Sequence, residues 1–513
     1  METSINPQMG VKIQNEHLMR NITALLSLLF LLHNIVYANS KNAKVSDITV
    51  EVYTTSADKS KLFEASTTPF LETTSADADA SVVLNPAVKY QQMDGFGAAI
   101  TGSTCYNLLK MSKNDRAKIL TEIFDHKIGM GHSYVRISLG CSDFSLDEYT
   151  YCDTPGIENF EIHKLDKRDL FPILKEILAI NPMLKIMASP WTPPRWMKVN
   201  NLKDLQQYNS WTSGQLNPKY YDDYATYFVK YIQEMEAEGF PIESITIQNE
   251  PLNRGNSASL FMTWQEQRDF IKTALGPQFR KNGIKTKILV YDHNYNYDAE
   301  KAECWDQIDY PLHILQDKEA AQYVHGSAWH AYGGSVHELD QIVATQPEKG
   351  IFFTEISIGD WGYTFPGDLM WCMKEVGLGT INRNGKAVIV WNLMLDDKNG
   401  PDRPGGCNTC YGAIRIDSKN YSYETLERLS HYYVISHLSK VVMPGAFRIK
   451  VLNTNATINC SAFANPDGSL ALVALNDGNE TTSVSFSCNG TFFEQKIHAK
   501  SIVSFRWKDA DSH

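Results

Sequence analysis

Ser244-Ile-Thr-Ile-Gln-Asn-Glu250-Pro251 is a short β-branched run that ends abruptly in amide and acidic residues. Such a run reads as a strand whose last residues leave the sheet for a polar loop. Outward from it, seven more runs share the form, at 93–100, 133–139, 184–189, 286–292, 326–332, 351–356 and 387–393. Helix-length stretches lie between them. Ser112-Lys-Asn-Asp115 opens one with a near capping box, followed by Ile119, Leu120, Ile123 and Phe124 at helical spacing. A second runs 220–237 with Tyr224, Tyr227, Phe228 and Tyr231 on one face, and a third begins near Trp264 and passes Leu275. Several strand runs are apolar on both faces, as buried parallel strands are. Eight strands alternating with helices predict an α/β fold, a (β/α)8 TIM barrel. The competing open doubly wound sheet would carry an early glycine-rich phosphate turn, and none is convincing here.

The two ends differ from this middle. Residues 46–90 contain short alternating runs, as do 447–452, 457–464, 469–475, 483–487 and 501–507, punctuated by Asn465-Pro-Asp-Gly468 and Asn476-Asp-Gly-Asn479 turns. This is β-sandwich composition on both flanks, so the ends are expected to build one appended sandwich together. The expected division is a signal segment at 1–38, sandwich strands at 39–90, the barrel at 91–440 and the remaining sandwich strands at 441–513.

The chain has 513 residues, with 48 Lys+Arg against 59 Asp+Glu, a formal charge of −11. That balance disfavours nucleic acid and anionic membrane surfaces, which need clustered cations. Residues 22–37 are the one long apolar run, short for a membrane span and broken by His33-Asn34. Val36-Tyr37-Ala38 predicts a signal peptide cleaved after Ala38, hence a secreted or periplasmic protein without a membrane span once mature; an uncleaved anchor is the alternative. Residues 1–18 read as an extension, since a start at Met19 gives a more ordinary signal. The sequence holds no HExxH, P-loop or strand-linked GxGxxG, so no metal and no cofactor is expected. The nine cysteines are an odd number. Cys460 and Cys488 are expected to pair between sandwich strands, and Cys407 with Cys410 in a loop after strand eight, where two free thiols are the alternative.

In such a barrel the chemistry stands at the C-terminal strand ends. Those ends carry Arg136 and then Asp143, Ser-Pro-Trp191, Asn249-Glu250, Asp292-His293-Asn294, His330-Ala-Tyr332, Thr354-Glu355 and Trp391-Asn392. Two carboxyl groups facing across a pocket suit glycoside hydrolysis. One protonates the leaving oxygen, and the other attacks the anomeric carbon or activates water, a separation of about 5–5.5 Å meaning retention. Each glutamate taken alone is more simply a surface or ion-paired residue. The ten tryptophans, 25 tyrosines and 22 phenylalanines could stack on sugars or merely fill the core.

On Gly95-Phe96-Gly97, Cys141-Ser-Asp-Phe144-Ser, Ala188-Ser-Pro-Trp-Thr192, Gln248-Asn-Glu-Pro251, Val324-His-Gly326, Thr354-Glu355 and Val390-Trp-Asn-Leu393, the chain resembles glycoside hydrolase family 30 from about Gln92 onward. The resemblance implies Glu250 as acid/base and Glu355 as nucleophile. It implies Asp143, Trp191, Asn249 and Trp391 around the reacting sugar, with Arg136, His330 and Tyr332 supporting the carboxylates. Ala331 stands where glucosylceramidases carry Trp, and the segment from Asp396 to Gly412 looks like the bacterial branch. An endo-β-1,6-glucanase acting on β-1,6-glucan is therefore the leading expectation. A glucosylceramidase-type β-glucosidase, a β-xylan- or fucoside-directed relative and an inactive carbohydrate-binding barrel are the alternatives. The acid is expected to have a raised pKa, most simply through the charge of Glu355.

Overall fold

The computed structural model describes residues 49–71, 78–295 and 307–508. The expected signal segment and Cys304 lie outside them. Eight parallel strands close into a barrel in chain order: β1 (Gly95–Ala99), β2 (Tyr134–Ser138), β3 (Lys185–Ser189), β4 (Ile242–Thr246), β5 (Lys287–Asn294), β6 (Val324–His330), β7 (Gly350–Glu355) and β8 (Gly385–Asn392), with β8 returning to β1. Each is one of the eight expected runs. Inside, Tyr134, Met187, Leu289, Ala328, Phe352, Ala387 and Ile389 form a packed plug, so the barrel is a core and not a pore. Gly97 is needed where β1 meets β2, because a Cβ there would stand 2.0 Å from the Tyr134 carbonyl oxygen.

The helices follow their local signals. Ser112 Oγ accepts from the Asp115 N–H at 3.1 Å, capping the helix Lys113–Phe124. Helix Tyr221–Ala237 buries Tyr224, Tyr227, Phe228, Tyr231, Ile232 and Met235 against the barrel. Thr263 and Glu266 form a reciprocal capping box for the helix Trp264–Phe270, which continues through one π turn to Lys281. None of the described helices is long and apolar enough to cross a membrane.

The sandwich is one nine-stranded ladder folded over on itself. Its order runs Glu64–Pro69, Thr49–Ser56, Ser501–Lys508, Ser469–Asn476, Ile458–Ala464, Phe447–Asn453, Ala80–Gln92, Thr482–Cys488, Thr491–Ile497. The two edges meet where the Leu71 N–H donates to the Phe492 carbonyl at 2.6 Å. Phe70, Phe486, Phe493, Phe505 and Trp507 fill the space between the layers. Two of these strands were not expected. Glu64–Pro69 is polar and largely exposed, so it carries no alternation to read. The other, Thr491–Ile497, lies beyond a tight turn at the opposite edge.

The expected Cys460–Cys488 bridge is a correction. Cys460 remains a thiol, because strands Phe447–Asn453 and Ala80–Gln92 lie between the two cysteine-bearing strands in the ladder. Three strand spacings of about 4.8 Å exceed the roughly 7 Å limit for a disulfide. Cys407 and Cys410 are bridged, with Cα atoms 5.9 Å apart. Their loop follows β8 and packs on the mouth. Gly406 is required there, since a Cβ would come within 2.4 Å of the Asp143 carbonyl oxygen, and Arg403 donates to the Ser142 carbonyl at 3.1 Å.

Candidate active site

Arg136, on β2, organises the mouth. It is fully buried, and burial of its charge is offset by acceptors facing all three of its nitrogens. Nη1 lies 2.5 Å from Glu355 Oε2, Nη2 donates to Asn249 Oδ1 at 2.7 Å and to Asp292 Oδ2 at 2.9 Å, and Nε donates to Ser189 Oγ at 3.2 Å. Its guanidinium also faces the rings of Trp191 and Trp391, 4.9 and 5.4 Å from their centroids. Those two indoles stack on each other at 5.3 Å.

Asp292 and His293 reach the site by a backbone distortion. Tyr291 and Asp292 take φ of +77° and +66°, and the β5–β6 register shifts between Tyr291 and His293. This bulge turns the Asp292 carboxylate inward. There it accepts from Thr246 at 2.6 Å, Thr354 at 2.7 Å, Arg136 and His330 Nε2 at 3.1 Å. Burial opposes its charge, yet Arg136 and these donors hold it far below the usual carboxylate range.

Glu250 leaves β4 in a left-handed conformation, φ +44°, its N–H donating to the Asp292 carbonyl at 2.9 Å. The ladder itself stops at Thr246, earlier than the expected run. Glu250 Oε1 faces His330 Nδ1 at 3.3 Å and His293 Nδ1 at 3.7 Å, and Oε2 accepts from Asn253 at 2.8 Å. Across the mouth, Glu355 Oε1 accepts from the Tyr332 hydroxyl at 3.1 Å. The nine expected site residues are thus brought to one rim. Sequence reasoning did not assign roles to Asp292, His293, Asn253, Thr246 and Thr354. Asp292 and His293 stood at a read strand end, whereas Asn253 carried no signal.

The electrostatics correct one expectation. Glu250 is not raised. Burial pushes its pKa up, but His330, His293 and Asn253 outweigh it and hold the carboxyl down to about 2. Burial pushes His330 down, but Glu355, Asp292 and Glu250 lift it to about 9. Glu355 is raised by burial and by the charges of Glu250 and Asp292, against the pull of His330 and Arg136. Counted as a couple, Glu250 and His330 therefore keep one proton at neutral pH, carried on the imidazole and aimed at the carboxylate.

One wall of the mouth has polar atoms awaiting partners. Asp143 Oδ1 and Trp191 Nε1 are buried with no hydrogen-bond partner among the described residues. Burial and the charges of Glu355 and Glu250 lift Asp143 to about 8. An acceptor or acid and an indole N–H beside a stacked tryptophan pair match a hydroxylated ring with apolar faces.

Comparison with known proteins agrees with this geometry. Residues 93–442 match the profile of the glycosyl hydrolase family 30 TIM-barrel domain, and residues 445–505 match that of the family's β-sandwich domain. An endo-1,6-β-D-glucanase of Trichoderma harzianum is 31% identical over 441 residues, spanning 81% of this chain and 84% of that protein. The lysosomal acid glucosylceramidase of Mus musculus is 27% identical over 459 residues, 83% of each. A solved endo-β1,6-glucanase structure superposes with a TM-score of 0.86 at 53% identity, covering 90% of this chain and 100% of that one.

Proposed function

The chain belongs to glycosyl hydrolase family 30, and from that premise we propose that it is a retaining endo-hydrolase of β-1,6-linked glucan. The observation that carries the chemistry is the unlike setting of two carboxyl groups on one rim. Glu355 is gripped by Arg136 and Tyr332, while Glu250 shares a proton with His330.

In the first step Glu355 attacks the anomeric carbon as the glycosidic bond breaks. The leaving oxygen takes a proton that passes from His330 Nδ1 through the Glu250 carboxylate. His330 keeps its Nε2 proton on Asp292. The sugar is now an ester of Glu355. In the second step Glu250 and His330 take a proton from water, whose oxygen attacks the same carbon and frees Glu355. Two inversions give retention. Asp143, Trp191, Asn249 and Trp391 surround the sugar that reacts.

The β-1,6 linkage is supported by the similarity to the solved and fungal 1,6-glucanases. The loop held by Cys407–Cys410 packs on the Asp143 backbone, and a polar, cross-linked loop beside that residue favours a second sugar over a ceramide in the leaving-group position. The apolar run at 22–37 supports export. Digestion of pustulan, laminarin, xylan and glucosylceramide tests the reading, with product anomers followed by NMR. Oligosaccharides of retained configuration from pustulan alone are expected. Release of glucose from glucosylceramide in preference would replace the substrate assignment, and inverted product would overturn the mechanism.

A further inference from the structure

We propose that Glu250, His293 and His330 form a site for a divalent transition cation of the zinc type, and that occupancy shuts the enzyme down. The three residues offer one buried oxygen and two imidazole nitrogens, all within 4.8 Å of one another. Glu250 Oε1 lies 3.3 Å from His330 Nδ1 and 3.7 Å from His293 Nδ1. Both separations are long for a strong charge-assisted hydrogen bond. They lie near the spacing of about 3.3–3.6 Å that separates ligands bonded to zinc at about 2.0–2.2 Å in a tetrahedron, and a bound ion would draw the three atoms, now within 4.8 Å of one another, into that range. A His2Glu set is also a donor combination that zinc accepts with one position left for water.

The surroundings are built as a zinc ligand's would be. His330 Nε2 is hydrogen-bonded to Asp292 Oδ1 at 3.1 Å, the carboxylate–histidine arrangement that fixes a ring with its other nitrogen toward a metal. Asp292 is itself fixed by Thr246, Thr354 and Arg136. Asn253 restrains Glu250 Oε2 and leaves Oε1 toward the two rings. Binding displaces the Nδ1 proton of His330 to solvent. The donor set disfavours magnesium and calcium, which take oxygen ligands. This occupant is an inhibitor and no part of turnover, since it would consume the oxygen that handles the leaving-group proton. Binding stands on the geometry alone; the inhibition rests on the acid/base reading of Glu250.

The test is a titration of the full chain with cobalt(II), followed by visible absorption, with zinc affinity measured by calorimetry. One cobalt per chain with low-symmetry d–d bands is expected, displaced by zinc and unaffected by excess magnesium. His293→Gln should weaken zinc at least about 10-fold and relieve zinc inhibition by the same factor, with His293→Asn as a second variant should the first fold poorly. Absence of cobalt bands at about 1 mM metal, or unchanged affinity in a folded His293 variant, would overturn the site. Stoichiometric binding with undiminished hydrolysis would overturn the inhibition and count against Glu250 as acid/base.

Discussion

Arg136 and Glu355 form a buried ion pair at 2.5 Å, with the arginine side chain wholly out of solvent. The same guanidinium neutralises Asp292, so removing it strands two carboxylates. Arg136→Met is expected to cost about 3–5 kcal/mol of stability and to abolish turnover. Arg136→Lys should retain part of the stability but little activity, because an ammonium cannot bridge Glu355, Asp292 and Asn249 in one plane. Urea unfolding beside kcat measurements checks both. Wild-type stability in Arg136→Met would show that the pair contributes nothing net.

Glu355→Gln should lose several orders of magnitude in kcat, since no nucleophile remains. Glu250→Ala should slow pustulan far more than an activated aryl glucoside in the first chemical step, as only the basic leaving oxygen needs the proton. Single-turnover kinetics on the two substrates separate these cases, and equal losses would remove Glu250 from the acid role.

The pH profile in metal-free buffer should be a bell. Its acid limb should lie above the ordinary glutamate value, because Glu355 is raised and must be ionised to attack. Its alkaline limb should fall near pH 9, where His330 gives up the shared proton. Stability carries the same sign. His330 is raised from 6.5 to about 9 in the folded chain, so its contribution is complete below pH 6.5 and is lost as pH rises through about 9. Asp143, raised from 3.8 to about 8, pulls in the same direction over its own interval. Denaturation midpoints that climb from pH 6.5 to 9 would contradict this.

Reducing Cys407–Cys410, or changing both to Ser, should remove about 2 kcal/mol at most, because only a four-residue loop is closed. The larger effect belongs to substrate. Gly359 pairs with Cys410, and the Asp360 N–H donates to the Thr409 carbonyl at 2.9 Å, so the bridge steadies the segment that follows β7. KM for polymer should rise more than kcat falls.

That segment also presents Trp361, 55% exposed, with its ring folded over Gly359. Trp361→Ala is expected to raise KM for pustulan about 10-fold while leaving an aryl monoglucoside within twofold, by loss of one stacked sugar. Equal effects on both substrates would place Trp361 outside any sugar position.

The eight barrel strands were legible because a strand buried on both faces must be short, branched and apolar. The rim on which the proposed site stands was legible because Glu250 and Glu355 break that rule at the strand ends. Asp292 and His293 were only half visible: nothing in Val290-Tyr-Asp-His293 announces two successive left-handed or bulged positions. The raised acid was misread because the partner that decides the proton is His330, not Glu355. The sandwich cysteines were misjudged because strand order in the ladder is set by packing of distant segments, which alternation does not encode.

The ladder of the sandwich pairs Thr49–Ser56 with Ser501–Lys508. During synthesis the early strand therefore emerges long before its partner exists. At ribosomal speeds of roughly 5–20 residues per second, the wait is on the order of 20–90 s. The barrel can close in that interval, but the hairpin of Thr49–Ser56 and Glu64–Pro69 keeps one open edge until Ser501–Lys508 is made. A product ending before Ser501 would keep the whole barrel and still expose that edge to aggregation or proteolysis. The strand Ser501–Lys508 is thus the clasp between the segments that flank the barrel on either side, and the ladder is sealed only when it is in place.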